Sequence, residues 1–186
     1  MMKKFLESII NWKILILTSL LFAFFIIIVL PYVSEYGKSN IGGIGSPDTE
    51  ILISGEQLYK IAESYGNEGR ETYVFLRWTF DVVWPIVYMT FLLSLIIALG
   101  KTIQYKWAKN LYLFPIGAML FDYLENTFLT IVMIRFPVEM FLFGSITSYV
   151  SLGKWIILNG SFVVVLVLGM TRLIIRIKKL NKRKQL

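Results

Sequence analysis

Residues 74–99 read VFLRWTFDVVWPIVYMTFLLSLIIAL. The run exceeds the ~20 residues an α-helix needs to cross the ~30 Å hydrocarbon layer of a bilayer. It is too long and too continuously apolar for a barrel strand, which takes ~10 residues and alternates. Lipid offers no partner to backbone N–H and C=O groups, so such a segment must close its hydrogen bonds internally as a helix. Three further runs, at about residues 14–33, 111–134 and 155–175, pass the same test. The expectation is an all-α, polytopic membrane protein: a bundle of four transmembrane helices forming one membrane domain over residues 1–186. Composition agrees, because 56% of the 186 residues are hydrophobic and only 17% are charged, against about 25% charged in soluble domains.

The first run follows Lys3 and Lys4, as a secretory signal would. Its apolar core is too long for one, and the YVSEYGKSN that follows offers no small-residue cleavage site, so it reads as a retained helix. Before it, Phe5, Ile9 and Trp12 recur at helical spacing and suit a segment lying along the inner interface.

The basic residues set an orientation. Lys3, Lys4 and Lys13 lie at the N-terminus, Lys101, Lys106 and Lys109 in the second connection, and Arg172, Arg176, Lys178, Lys179, Lys182, Arg183 and Lys184 in the tail over residues 172–186. By the positive-inside rule these parts are cytoplasmic, both termini included, in a multi-pass protein of the cell membrane. The connection over residues 34–72 holds seven of the twelve acids and reads as the outer loop. The net charge of +7 is thus a topology signal. The partners it implies are the lipid bilayer and anionic headgroups at the cytoplasmic tail, not nucleic acid. Small size implies that any transport path needs a homo-oligomer.

Cysteine and histidine are absent. That removes disulfides, thiolate nucleophiles, imidazole bases and Cys/His metal sites, and no cofactor is expected.

Within the outer loop, Ser54 followed by Gln57 fits a capping box. Leu58, Ile61, Ala62 and Tyr65 then mark one apolar helical face, and Gly66 is placed to end the helix. A short amphipathic helix on the outer mouth of the bundle follows. It serves either as a lid or as cover for the helix ends. Upstream, GKSNIGGIGSPDTE reads as flexible. The third connection, RFPVEMFLFGSITSYVSLGK, is interrupted by Pro137 and Gly144 and is expected to lie along the outer surface before the fourth helix, whose start between residues 145 and 155 the pattern leaves open.

Three acids fall inside the apolar runs: Asp81, Asp122 and Glu125. Ionisable groups there cost a few kcal/mol each on insertion scales, so they face the bundle interior and find partners. Asp122, Glu125 and Asn126 stand at i, i+3, i+4 and share one face of the third helix. Arg77, Asp81, Trp84, Pro85 and Tyr88 share a face of the second. Pro85 has no N–H, so the carbonyl of Asp81, four residues back, is left without its helical donor. Asn159 approaches from the fourth helix, where Gly160 and Ser161 allow close packing. The expected site is Asp81, Asp122, Glu125 and Asn126, with Arg77 as charge partner or gate, Asn159 as a contributor from the fourth helix, and Trp78, Trp84, Tyr88 and Tyr123 as walls of a pocket opening outward.

Three readings of that cluster stay open. As a binding or transport site it would hold a proton, a metal cation or a cationic organic ligand, since carboxylates, an amide and a freed carbonyl are hard oxygen donors and aromatic rings favour amines. As an enzyme it would use Asp122 and Glu125 as acid and base on a lipid-soluble substrate, although no nucleophile motif or metal signature accompanies them. As a structural network it would pair Arg77, with Lys154, against the carboxylates and fix helix packing.

The run LYKIAESYGNEGRETYVFLRWTFDVVWPIVY, followed by FDYLEN, resembles a pattern of small four-helix bacterial integral membrane proteins of unassigned function. The resemblance covers about residues 58–126 and implies topology. A sterol-isomerase-like membrane protein, with acids in a hydrophobic cavity, is the pattern for the enzyme alternative. The missing histidine and the different acid spacing depart from it.

Overall fold

A computed structural model of the chain describes residues 2–42, 45–47, 52–101, 103, 110–139 and 141–183. Every regular element among them is a helix. In chain order these are α1 (Met2–Ile9), α2 (Trp12–Asn40), α3 (Gly55–Ser64), α4 (Gly66–Gly100), α5 (Leu113–Arg135) and α6 (Phe141–Arg183). Four helices are long and apolar enough to cross a membrane: α2, α4, α5 and, within α6, Leu142–Asn181.

Asn11 starts α2 as its N-cap, its side-chain oxygen accepting from the N–H groups of Lys13 (2.9 Å) and Ile14 (3.2 Å). The helix widens to π geometry at Phe25–Val29, just before Pro31. Proline supplies no N–H to the turn before it, and widened turns of this kind accommodate such a gap. None of the most apolar stretch of α2 is buried, and Leu17, Leu20 and Ile27 are exposed on it. Ile156, Val163 and Leu166 do the same on α6. Continuous apolar surface of this extent on long helices marks a face for membrane or protein contact.

The capping box of α3 is formed: the Gln57 N–H donates to Ser54 Oγ (3.1 Å) and the Ser54 N–H to Gln57 Oε1 (2.9 Å). Leu58, Ile61, Ala62 and Tyr65 are all buried. Gly66 breaks the chain direction between α3 and α4 with a φ of +63°, where a Cβ would be strained. Helix α3 lies on the first turns of α6. A Cβ added at Gly144 would sit 2.6 Å from the Gly55 Cα, and the Ser148 hydroxyl donates to the Ile53 carbonyl.

Two connections differ from expectation. The first is shorter, because α2 continues through the SEYGKSN segment to Asn40. The third is shorter too: α6 begins at Phe141, so the segment expected to lie along the surface is mostly helix. Serine, threonine and the isolated glycines Gly144 and Gly153 do not break a helix whose face packs on neighbours. Asp48 and Glu50 of the acidic connection, Lys106 and Lys109 of the basic one, and Lys184 lie outside the described residues.

Three apolar clusters hold the bundle. One joins α3 to α4 and α5 through Leu58, Ala62, Tyr73, Leu129 and Val132. One lies at the opposite end, around Ile10, Ile96, Ile97, Tyr112 and Leu168. The third, Tyr88, Leu92 and Ala118, lies between them. The charged residues form a layer between the first and the third.

Candidate functional site: a buried ion-pair layer

Asp81, Asp122, Glu125 and Asn126 are all buried, Glu125 completely so. The face shared by Asp122, Glu125 and Asn126 on α5 turns inward toward α4 and α6. Arg77 Nε lies 2.9 Å from Asp81 Oδ2, an i, i+4 pair on α4. The same guanidinium donates through Nη1 to Asn126 Oδ1 at 3.4 Å, and it stacks on the Tyr73 ring, 4.7 Å from the centroid. Asn126 in turn donates from Nδ2 to the Asp81 carbonyl at 3.3 Å. This is the acceptor that Pro85 leaves without a helical donor.

The second half of the layer is built on α6. Lys154 donates to Glu125 Oε2, and its Nζ lies 4.0 Å from Asp122 Oδ1. Ser151 donates to the other Glu125 oxygen. The Tyr88 hydroxyl donates to Asp122 Oδ2 at 3.0 Å. Three carboxyl groups therefore meet two bases, with a phenol, a serine and an amide completing the network. Paired and hydrogen-bonded charges are the form in which ionisable groups tolerate an apolar interior.

Some expected members lie elsewhere. Asn159 is exposed and donates to the Trp155 carbonyl of its own helix at 2.8 Å. It lies five residues past Lys154, ~140° round the helix, so a helix that presents Lys154 inward turns Asn159 away. Trp84 is stacked between α2 and α4, with Phe22, Phe25 and Phe80 at centroid distances of 5.7, 6.0 and 6.3 Å. It clamps α2, and only its edge-on contact with Tyr88 (5.7 Å) touches the network. Trp78 is half exposed and donates to Thr130 Oγ1 at 3.0 Å. Tyr123 donates to the Val82 carbonyl at 2.8 Å. Neither of these two lines the cavity beside the acids.

The outward-opening pocket expected around the acids lies beside them. A cavity of about 550 Å³ runs between the Asn40 end of α2 and α4, and Arg77 is the member of the network that lines it. Among the described residues, no group of three or more carboxylates is placed to hold a metal ion. Ser151 is the member that sequence reasoning missed, and Lys154 was weighed there only as a second base. Thr147, Ser151, Lys154 and Ser161 are spaced along one face of α6, and all are buried. That face is readable only once the helix is known to begin at Phe141.

The fold and this layer define a class: a helical bundle with four helices long and apolar enough to cross a membrane and an ion-pair network closed inside it. Comparison with family models, with curated proteins and with solved structures gives no match.

Proposed function

We propose that the protein spans the cell membrane four times, with both termini cytoplasmic and α3 outside, and that its buried layer binds and releases a proton. The observation that carries this is the sharing of Lys154 between Asp122 and Glu125 while Arg77 holds Asp81. Three carboxyl groups against two bases leave one negative charge in an apolar interior, unless one carboxyl carries a proton. Net charge in such a place is costly, so a single proton restores neutrality. A proton needs no empty volume, which suits a completely buried Glu125. A metal ion or an organic amine would have to displace the ammonium of Lys154, which already occupies the position a cation would take.

Infrared difference spectroscopy of the reconstituted protein between acid and alkaline pH tests this directly. A protonated-carboxyl band that disappears with pH, and that is lost or shifted in Asp122→Asn or Glu125→Gln, is the expected result. Absence of any band sensitive to either substitution removes the proton from the proposal. The cysteine-free chain lets topology be tested with single cysteines at exposed Lys60 and Lys179. An impermeant maleimide applied to whole cells should label the first and not the second.

A second reading is favoured by one observation. Each carboxylate of the layer has a donor from another residue, as a fixed network that sets helix packing would require. It predicts the same loss of stability on substitution and no pH-dependent carboxyl band.

A further inference from the structure

We propose that the cavity between α2 and α4 is a binding site for an anionic membrane lipid. The cavity, about 550 Å³, falls in the range of pockets that enclose small ligands or a headgroup with part of its chain. Its wall is graded. Leu30, Val33 and Leu76 line the apolar part, while Lys38 and Arg77 supply the charged side chains. Among the described residues no acid lines it, and the exposed Lys38 offers its charge to a negative group there.

The position of the two bases fits an amphiphile rather than a free ion. Lys38 lies five residues beyond Val33 on α2, ~7.5 Å along the axis, and it is exposed. It therefore stands at headgroup level while Leu30 and Val33 stand at chain level, the arrangement in which lysine meets anionic lipid. Gly37, between them, faces α4: a Cβ there would meet Leu76 Cδ1 at 3.8 Å, an ordinary contact. Arg77 lies on the same wall and offers a planar fork suited to phosphate oxygens. It also holds Asp81 at 2.9 Å, so a lipid phosphate drawn to Arg77 shares that guanidinium with the buried layer. The site is distinct from the basic tail, which lies at the other end of the bundle on α6.

The test is photo-crosslinking of the detergent-purified full chain with a diazirine-bearing phosphatidylglycerol, and with a phosphatidylcholine of the same chains. The variants Lys38→Glu and Ser34→Trp are run beside the wild type. Ser34 is an exposed residue of the cavity wall, and a tryptophan there fills the space from a position that carries no core contact. Adducts from phosphatidylglycerol should map to residues 30–41 and to Leu76 of the wild type, and exceed those from phosphatidylcholine at least several-fold. Each variant should reduce them several-fold, whereas Lys178→Gln with Lys179→Gln in the tail should leave them unchanged. Adducts confined to the tail, equal labelling by the two lipids, or labelling indifferent to both cavity variants would overturn the proposal. Should Ser34→Trp fail to fold, Lys38→Glu decides alone, since that side chain is exposed.

Discussion

Asn126 donates from Nδ2 to the main-chain carbonyl of Asp81 at 3.3 Å, across the interface between α5 and α4. The acceptor exists because Pro85, four residues on, has no N–H to give it. A kink residue in one helix thus creates the acceptor that the neighbouring helix fills, and the same amide accepts from Arg77 on its other atom.

The pairing makes Pro85 and Asn126 energetically coupled. In Pro85→Ala the restored N–H competes for the Asp81 carbonyl, so Asn126→Leu should cost less in that background than alone. The coupling in a double-mutant cycle should be about 0.6 kcal/mol, the usual size of an interhelical hydrogen bond in a membrane. Additive effects in detergent unfolding would show that the bond is not the one linking these positions.

Lys154 should be the most sensitive residue of the layer. Lys154→Met leaves Glu125 and Asp122 without their shared cation, and breaking one side of a buried pair costs about 3–5 kcal/mol. The double variant Lys154→Met/Glu125→Gln removes a charge of each sign and should be more stable than Lys154→Met alone. Denaturant unfolding in mixed micelles measures both. A double variant no better than the single would mean that the pair does not set stability.

Tyr88→Phe keeps the ring against Trp84 but takes the hydroxyl from Asp122 Oδ2, 3.0 Å away. Removing a donor from a buried carboxylate should cost about 1–3 kcal/mol. The same variant should move any carboxyl band that belongs to Asp122, whereas Tyr112→Phe, in the far apolar cluster, should not.

Gly144 is where α3 meets α6. Its Cβ would fall 2.6 Å from the Gly55 Cα, a backbone atom that cannot turn aside. Gly144→Ala should destabilise the contact by about 1–3 kcal/mol, as overpacking does, and speed hydrogen exchange in residues 55–64 ahead of the rest. Gly117→Ala is the control, because its Cβ meets the Ile157 Cγ2 at 3.5 Å, an ordinary contact. Equal behaviour of the two variants would count against the docking described for α3.

Ser54→Ala removes one half of the capping box and should cost about 0.5–2 kcal/mol, felt mainly in α3. Faster amide exchange at the N–H of Gln57, with α4 unchanged, is the expected signature.

By itself the sequence determined the helical class, the four apolar helices, the cap of α3 and the inward face of α5, because each is a local matter. Length and apolarity decide a span. Ser54 and Gln57 are three residues apart. A carboxylate at Asp122 or Glu125 has one low-energy direction in which to point when the other is lipid. Even the acceptor on Asp81 was readable from Pro85 alone. Tertiary structure decided which residue of α6 reaches the acids: of the two that the sequence offered, Lys154 does and Asn159 does not. It also decided that Trp84 faces α2 and that the cavity lies beside the acids. The reason is physical. In a soluble helix, periodicity separates the buried face from the wet one, but in lipid both faces are apolar. The rotation of α6 is therefore carried by its polar residues and not by its apolar ones, and it is set by Lys154 finding Glu125 and by Gly144 meeting Gly55.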